Sequence, residues 1–107
     1  MENQDQKIQE MQLLEQNLQN ILMQKQAFQM ELSETQAALK ELEKSGDEVF
    51  KIIGQLMIKT EKSETKKELS EKEKLLGLRM KTLEKQEASL AEKSDSLREE
   101  FLKSMKK

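Results

Sequence analysis

The sequence contains no cysteine, histidine, proline, tryptophan or tyrosine, and only three phenylalanines and three glycines among 107 residues. Each gap removes a class of chemistry. Without cysteine or histidine there is no disulfide, no thiolate nucleophile, no imidazole base and no zinc cage built from such ligands. Carboxylates are plentiful, but no pattern promises a cleft that would desolvate a pair of them, so an enzyme is not expected. No glycine loop of the phosphate-cradling kind is present, and no nucleotide or other cofactor is expected. No apolar run approaches the ~20 residues needed to cross a bilayer, and there is no apolar stretch of the signal-peptide type. The expectation is a cytoplasmic protein.

What fills the chain instead is Glu, Lys, Leu and Gln, with 37% of residues charged. So polar a chain with so few helix breakers points to long helices or coiled coil rather than a globule. Disorder is the competing reading of such polarity, and regularly spaced leucines argue against it. The formal net charge is −2, unevenly spread. Residues 1–46 hold eight acids, four lysines and ten glutamines, whereas residues 61–107 hold eleven acids and thirteen Lys/Arg. Neither half is charged enough to make nucleic acid or an anionic membrane the main partner.

The first segment, residues 1–45, carries a heptad over residues 8–44. Met11, Leu14, Leu18, Ile21, Lys25, Phe28, Leu32, Thr35, Leu39 and Leu42 alternate three and four apart, and eight of these ten are apolar. That is the buried stripe of a coiled coil. At ~1.5 Å per residue the 8–44 stretch makes a helix on the order of 55 Å long. Ser45-Gly46-Asp47 is expected to end it, with Gly46 suited to the left-handed position just past a helix.

Residues 47–61 lose the helical period. Val49, Phe50, Ile52 and Ile53 precede Gly54-Gln55, and Leu56, Met57 and Ile58 follow it. Two short strands joined by a Gly-Gln turn fit this pattern, since glycine supplies positive φ at the first turn position. A short continuous helix is the alternative, weakened by Gly46 and Gly54.

The third segment, residues 63–107, repeats Leu69, Leu76, Leu83, Leu90 and Leu97 every seventh position. Glu73, Met80, Glu87, Ser94 and Phe101 occupy the alternate positions. Ser63 or Thr65 is expected to cap its start, the latter as a capping box with Glu68. Two such helices joined by about 20 residues should fold back into an antiparallel pair. Their stripes match when facing residue numbers total about 112, uncertain by one turn. Leu42 then lies near Leu69, Phe28 near Leu83, and Met11 near Phe101. Lys25 and Glu87 come level, either meeting across the pair or each reaching for solvent. The fold expected is mostly α: a long antiparallel two-helix coiled coil with one β-hairpin at the bend.

A lone hairpin is marginal in water. This one has apolar residues at successive positions, so both of its faces are apolar, and other chains must bury it. Val49, Phe50, Ile52, Ile53, Leu56, Met57 and Ile58 are therefore the expected assembly residues. At the other end of the helix pair, Ile8, Met11, Leu13, Leu14 and Leu18 face Leu97, Phe101, Leu102 and Met105. Ile8, Leu13, Leu102 and Met105 lie off the buried stripe and should stay accessible, a non-directional apolar surface for unfolded chains. Of the other methionines, Met30 and Met80 are expected to pack between helices and Met57 within the hairpin.

The run Val49–Lys59, in which an aromatic and a lysine lead to an Ile-Gly turn and a second apolar strand ending in lysine, resembles the hairpin of beta-type prefoldin subunits. The glutamine-rich Leu18–Leu42 segment and Arg79–Glu87 are similar to that family's two helices, in the same order and at the same spacing. A single central hairpin suits the beta class, whereas the alpha class carries two, and the simplicity of the chain suggests an archaeal type. The resemblance implies a hexamer of two alpha-type and four beta-type subunits, with hairpins forming β-barrels and six coiled-coil arms hanging from them. It further implies an ATP-independent chaperone whose arm tips hold non-native proteins and pass them to a group II chaperonin. Lys103, Lys106 and Lys107 are then candidates for contact with the chaperonin, or simply solubilising charge at a helix end.

Two rival readings remain. A basic-zipper DNA-binding protein needs a basic stripe before its leucines, yet residues 61–74 contain five lysines and five glutamates. A homodimeric coiled-coil scaffold would instead be a stable rod needing no second subunit type.

Overall fold

The computed structural model describes residues 2–105, with side chains from Gln4 onward. Helix α1 spans Glu2–Lys44, strands β1 and β2 span Glu48–Ile53 and Leu56–Glu61, and helix α2 spans Lys62–Met105. The chain forms two compact units. One joins the residues up to Ala27 with those from Met80 on, and the other is Phe28–Arg79, which contains the hairpin.

Burial follows the heptad. In α1 the expected stripe from Met11 to Leu42 is half-buried or buried at every position, and it extends back through Lys7 and Gln4. In α2 the corresponding row runs from Leu69 to Ser104. Among the described residues the buried apolar side chains are Ile21, Leu42, Leu76 and Leu83, each retaining a few per cent exposure. Thr35 shares that row at 3% exposure. Its hydroxyl donates to the Glu31 carbonyl at 2.8 Å, which satisfies the polar atom within its own helix.

The alignment of the helices agrees with the expected one to within the turn left open. Leu14 and Leu97 line one groove, Leu42 and Leu69 another, and Lys25 Nζ meets Glu87 Oε1 at 3.1 Å. Within Phe28–Arg79, Arg79 lies over the Phe28 ring at 5.8 Å, Lys62 Nζ donates to the Ser45 carbonyl, and Lys72 pairs with Glu31. Those long side chains join residues a turn or so out of level, as flexible cationic side chains can.

Three local expectations are corrected. Gly54, at φ 60°, is the one described residue with positive φ, so Gly46 does not end α1 in the left-handed conformation. The end is closed instead by Ser45, whose backbone N–H and hydroxyl both donate to the Leu42 carbonyl, and by the Lys62 ammonium on the Ser45 carbonyl. Helix α2 starts at Lys62, directly after strand residue Glu61, so Ser63 and Thr65 lie inside the first turns rather than flanking them. The Thr65 hydroxyl makes no hydrogen bond. Met30 is 67% exposed, because it lies on the outward side of α1.

Two measurements check this account. A double-mutant cycle with Lys25→Ala and Glu87→Ala should give a coupling of about 0.5 kcal/mol, since the pair is only partly shielded; strict additivity would refute the contact. Gly77 lies within α2, and a Cβ built there meets nothing within 4 Å. Gly77→Ala should therefore raise stability by about 0.8 kcal/mol, seen as a higher melting midpoint by circular dichroism.

Candidate functional site

The hairpin pairs Val49 with Thr60, Lys51 with Ile58, and Ile53 with Leu56 on one face. On the other it pairs Glu48 with Glu61, Phe50 with Lys59, and Ile52 with Met57. Gly54 takes the positive φ that a tight two-residue turn demands. The alternation of strand side chains therefore sends apolar groups to both sides. Phe50, Ile52, Ile53, Leu56, Met57 and Ile58 are all exposed in the single chain, from 44% at Ile58 to 73% at Ile52, and Val49 is half-buried. The sheet has only two strands, so each has an open edge. An open groove of about 550 Å³ follows the β1 edge, walled by helix residues that include Leu42 and Leu69.

The hairpin is held at its base by polar contacts. Lys51 Nζ pairs with Glu68 Oε2 at 2.6 Å, linking the strand to α2. Lys59 pairs with Glu48 across the strands at 3.2 Å, and Lys62 reaches the end of α1. The two ion pairs are exposed and individually weak, but together with the part-buried Lys62 contact they limit how the hairpin can swing. The sequence reading missed these contacts, because they join residues brought together only by the chain reversal.

In the unit that contains both helix segments from Ala27 back and from Met80 on, the expected client residues divide by the heptad. Met11, Leu14, Leu18, Leu97 and Phe101 are half-buried in the stripe between helices. Ile8, Leu13, Leu102 and Met105 are exposed, between 38% and 60%. Leu13, Leu14 and Leu97 line one open groove of about 650 Å³. Leu22 and Met23 are further exposed apolar residues on α1 that the sequence reading did not single out. Their signal was available, since both lie off the stripe that the heptad defines. Of the candidate chaperonin lysines, Lys103 is exposed in the last turn of α2, while Lys106 and Lys107 lie outside the described residues. Among the described residues no acidic, histidine or cysteine cluster could hold a metal ion, and no helix is long and apolar enough to cross a membrane.

Because Ile53 and Ile58 are exposed in the single chain, Ile53→Asp and Ile58→Asp should leave its helix content unchanged. Enclosing an unpaired carboxylate at an apolar interface costs several kcal/mol, so both variants should lose assembly. Sizing chromatography should show them at the mass of the single chain; assembly at the parental size would refute the hairpin as the interface.

Comparison with known proteins agrees with this geometry. The family model described as "Prefoldin subunit" matches residues 5–107. The prefoldin subunit beta of Thermococcus onnurineus is 42% identical over 85 residues, 78% of this chain and 73% of that one. That of Methanothrix thermoacetophila is 36% identical over 98 residues, 90% of this chain and 82% of its own. Among solved structures, the prefoldin beta subunit from Thermococcus strain KS-1 superposes with a TM-score of 0.87 at 35% identity, covering 95% of this chain and 91% of that one. With the family model spanning nearly the whole chain and the fold in agreement, the chain belongs to the prefoldin family of chaperone subunits, in its beta class.

Proposed function

We propose that this subunit acts as an ATP-independent holdase, gripping non-native polypeptides in the unit that carries Ile8, Leu13, Leu102 and Met105. The observation that carries this reading is the exposure of those four apolar side chains beside a half-buried stripe. A two-helix pair has one interface to bury, so apolar residues elsewhere on it meet only water until something else covers them. Leucine, isoleucine and methionine give a surface that is apolar, adaptable and without directional demands, which suits many unfolded sequences. Each copy binds weakly, and several copies in one assembly add avidity. The assembly is a hexamer of two alpha-type and four beta-type subunits joined through the hairpins, in the cytoplasm, and it passes its clients to a group II chaperonin. Lys103, with Lys106 and Lys107, steers that docking through long-range, salt-screened attraction.

The exposure of the hairpin on both faces favours this reading over a homodimeric scaffold, which would leave those residues in water. Replacing Ile8, Leu13, Leu102 and Met105 by serine tests the client surface without disturbing the buried stripe. The assembled variant should keep its size but lose most of its ability to suppress aggregation of a denatured protein in the absence of ATP. Undiminished protection would place client binding elsewhere.

A further inference from the structure

The 650 Å³ groove has a floor and a rim of different character. Its apolar surface comes from Leu13, Leu14 and Leu97, and it has room because the neighbouring α2 positions are the small residues Ser89 and Ser96. Leu13 is 58% exposed, and both serines are exposed. Around this floor stand the carboxylates of Glu10, Glu92 and Glu100, against the single ammonium of Lys93. Among the described residues none of these three carboxylates is in an ion pair, although other glutamates of the chain are. An apolar trough whose rim is net acidic is a binding surface with a charge preference.

We infer that this groove selects client segments in which apolar side chains are flanked by lysine or arginine. The inference rests on the client-binding reading above and narrows it to a class of substrate. An extended segment laid in the trough would place leucine-sized side chains over Leu13, Leu14 and Leu97, with its flanking cations reaching the rim. A cation there gains attraction from several carboxylates at once, whereas a flanking carboxylate meets repulsion. The preference is electrostatic, so it weakens as salt screens the rim. Nascent and unfolded chains rich in basic residues would be held in preference to acidic chains of equal hydrophobicity.

The test uses the full chain in its assembled form and two fluorophore-labelled, leucine-rich peptides of equal length, one carrying lysines and the other glutamates. Anisotropy should show the lysine peptide binding roughly fivefold or more tightly at low salt, with the gap closing at high salt. The Glu10→Gln/Glu92→Gln/Glu100→Gln variant should bind the two peptides alike. Ser96→Leu fills the trough from an exposed position, so it should weaken the lysine peptide without unfolding the helix. Equal affinity of the two peptides for the parent protein, or an unchanged preference in the glutamine variant, overturns the charge selectivity. Loss of both peptides from the variant with serine at Ile8, Leu13, Leu102 and Met105 would then leave the client-binding reading standing. Retention of both by that variant overturns the two together.

Discussion

A pair of helices can bury only one stripe of each partner, and that limit governs this molecule. The heptad fills the stripe almost completely, from Met11 to Leu42 on α1 and from Leu69 to Ser104 on α2. Most other large apolar side chains are left in water by geometry rather than by weak packing. Leu13, Leu102 and Met105 in one unit are exposed for this reason. The hairpin obeys the sheet version of the same limit: two strands cover neither of their faces, so Ile52 and Met57 on one side and Ile53 and Leu56 on the other stay open.

The two sets of exposed residues differ in side-chain type and in how the surrounding contacts anchor them. The hairpin side chains are β-branched or aromatic at several positions, and the Lys51–Glu68 and Lys62–Ser45 contacts hold the element against its helices. A surface fixed in this way suits a partner of fixed shape, as other subunits provide. The exposed residues beside Leu97 are mainly leucine and methionine on unpartnered helix surface. Their rotamer freedom accommodates segments of no fixed shape.

Polar residues inside the stripe have distinct roles. Thr35 is buried at little cost, because its hydroxyl bonds the preceding turn. Lys25 and Glu87 answer each other, so neither is left as an unpaired charge between helices. Such a pair contributes little to stability, yet it penalises alignments in which either charge would face leucine. The glutamates around Leu13 and Leu97 have no such partner among the described residues.

The heptad, the hairpin and its Gly54 turn were legible in the sequence because each depends on residues a few positions apart. Period and turn chemistry are local, and no distant contact changes which residues lie on one side of a helix. The exposure of Ile8, Leu13, Leu102 and Met105 followed from that same periodicity. The alignment between the helices was legible only to within a turn, because sliding one helix by a turn keeps stripe against stripe. Contacts between residues far apart in sequence, such as Lys25 with Glu87 and Phe28 with Arg79, fix it. The helix ends were misread for the same reason: a lysine 17 residues away caps α1 where Gly46 was expected to. Likewise, Ser89 and Ser96 are unremarkable in sequence, and they become the space in a groove only when Leu13 is set opposite them. Sequence determined what each element is and which side it buries, because those are properties of neighbours along the chain. Tertiary structure alone decided where the elements lie against one another, because that turns on small energy differences between side chains far apart in sequence.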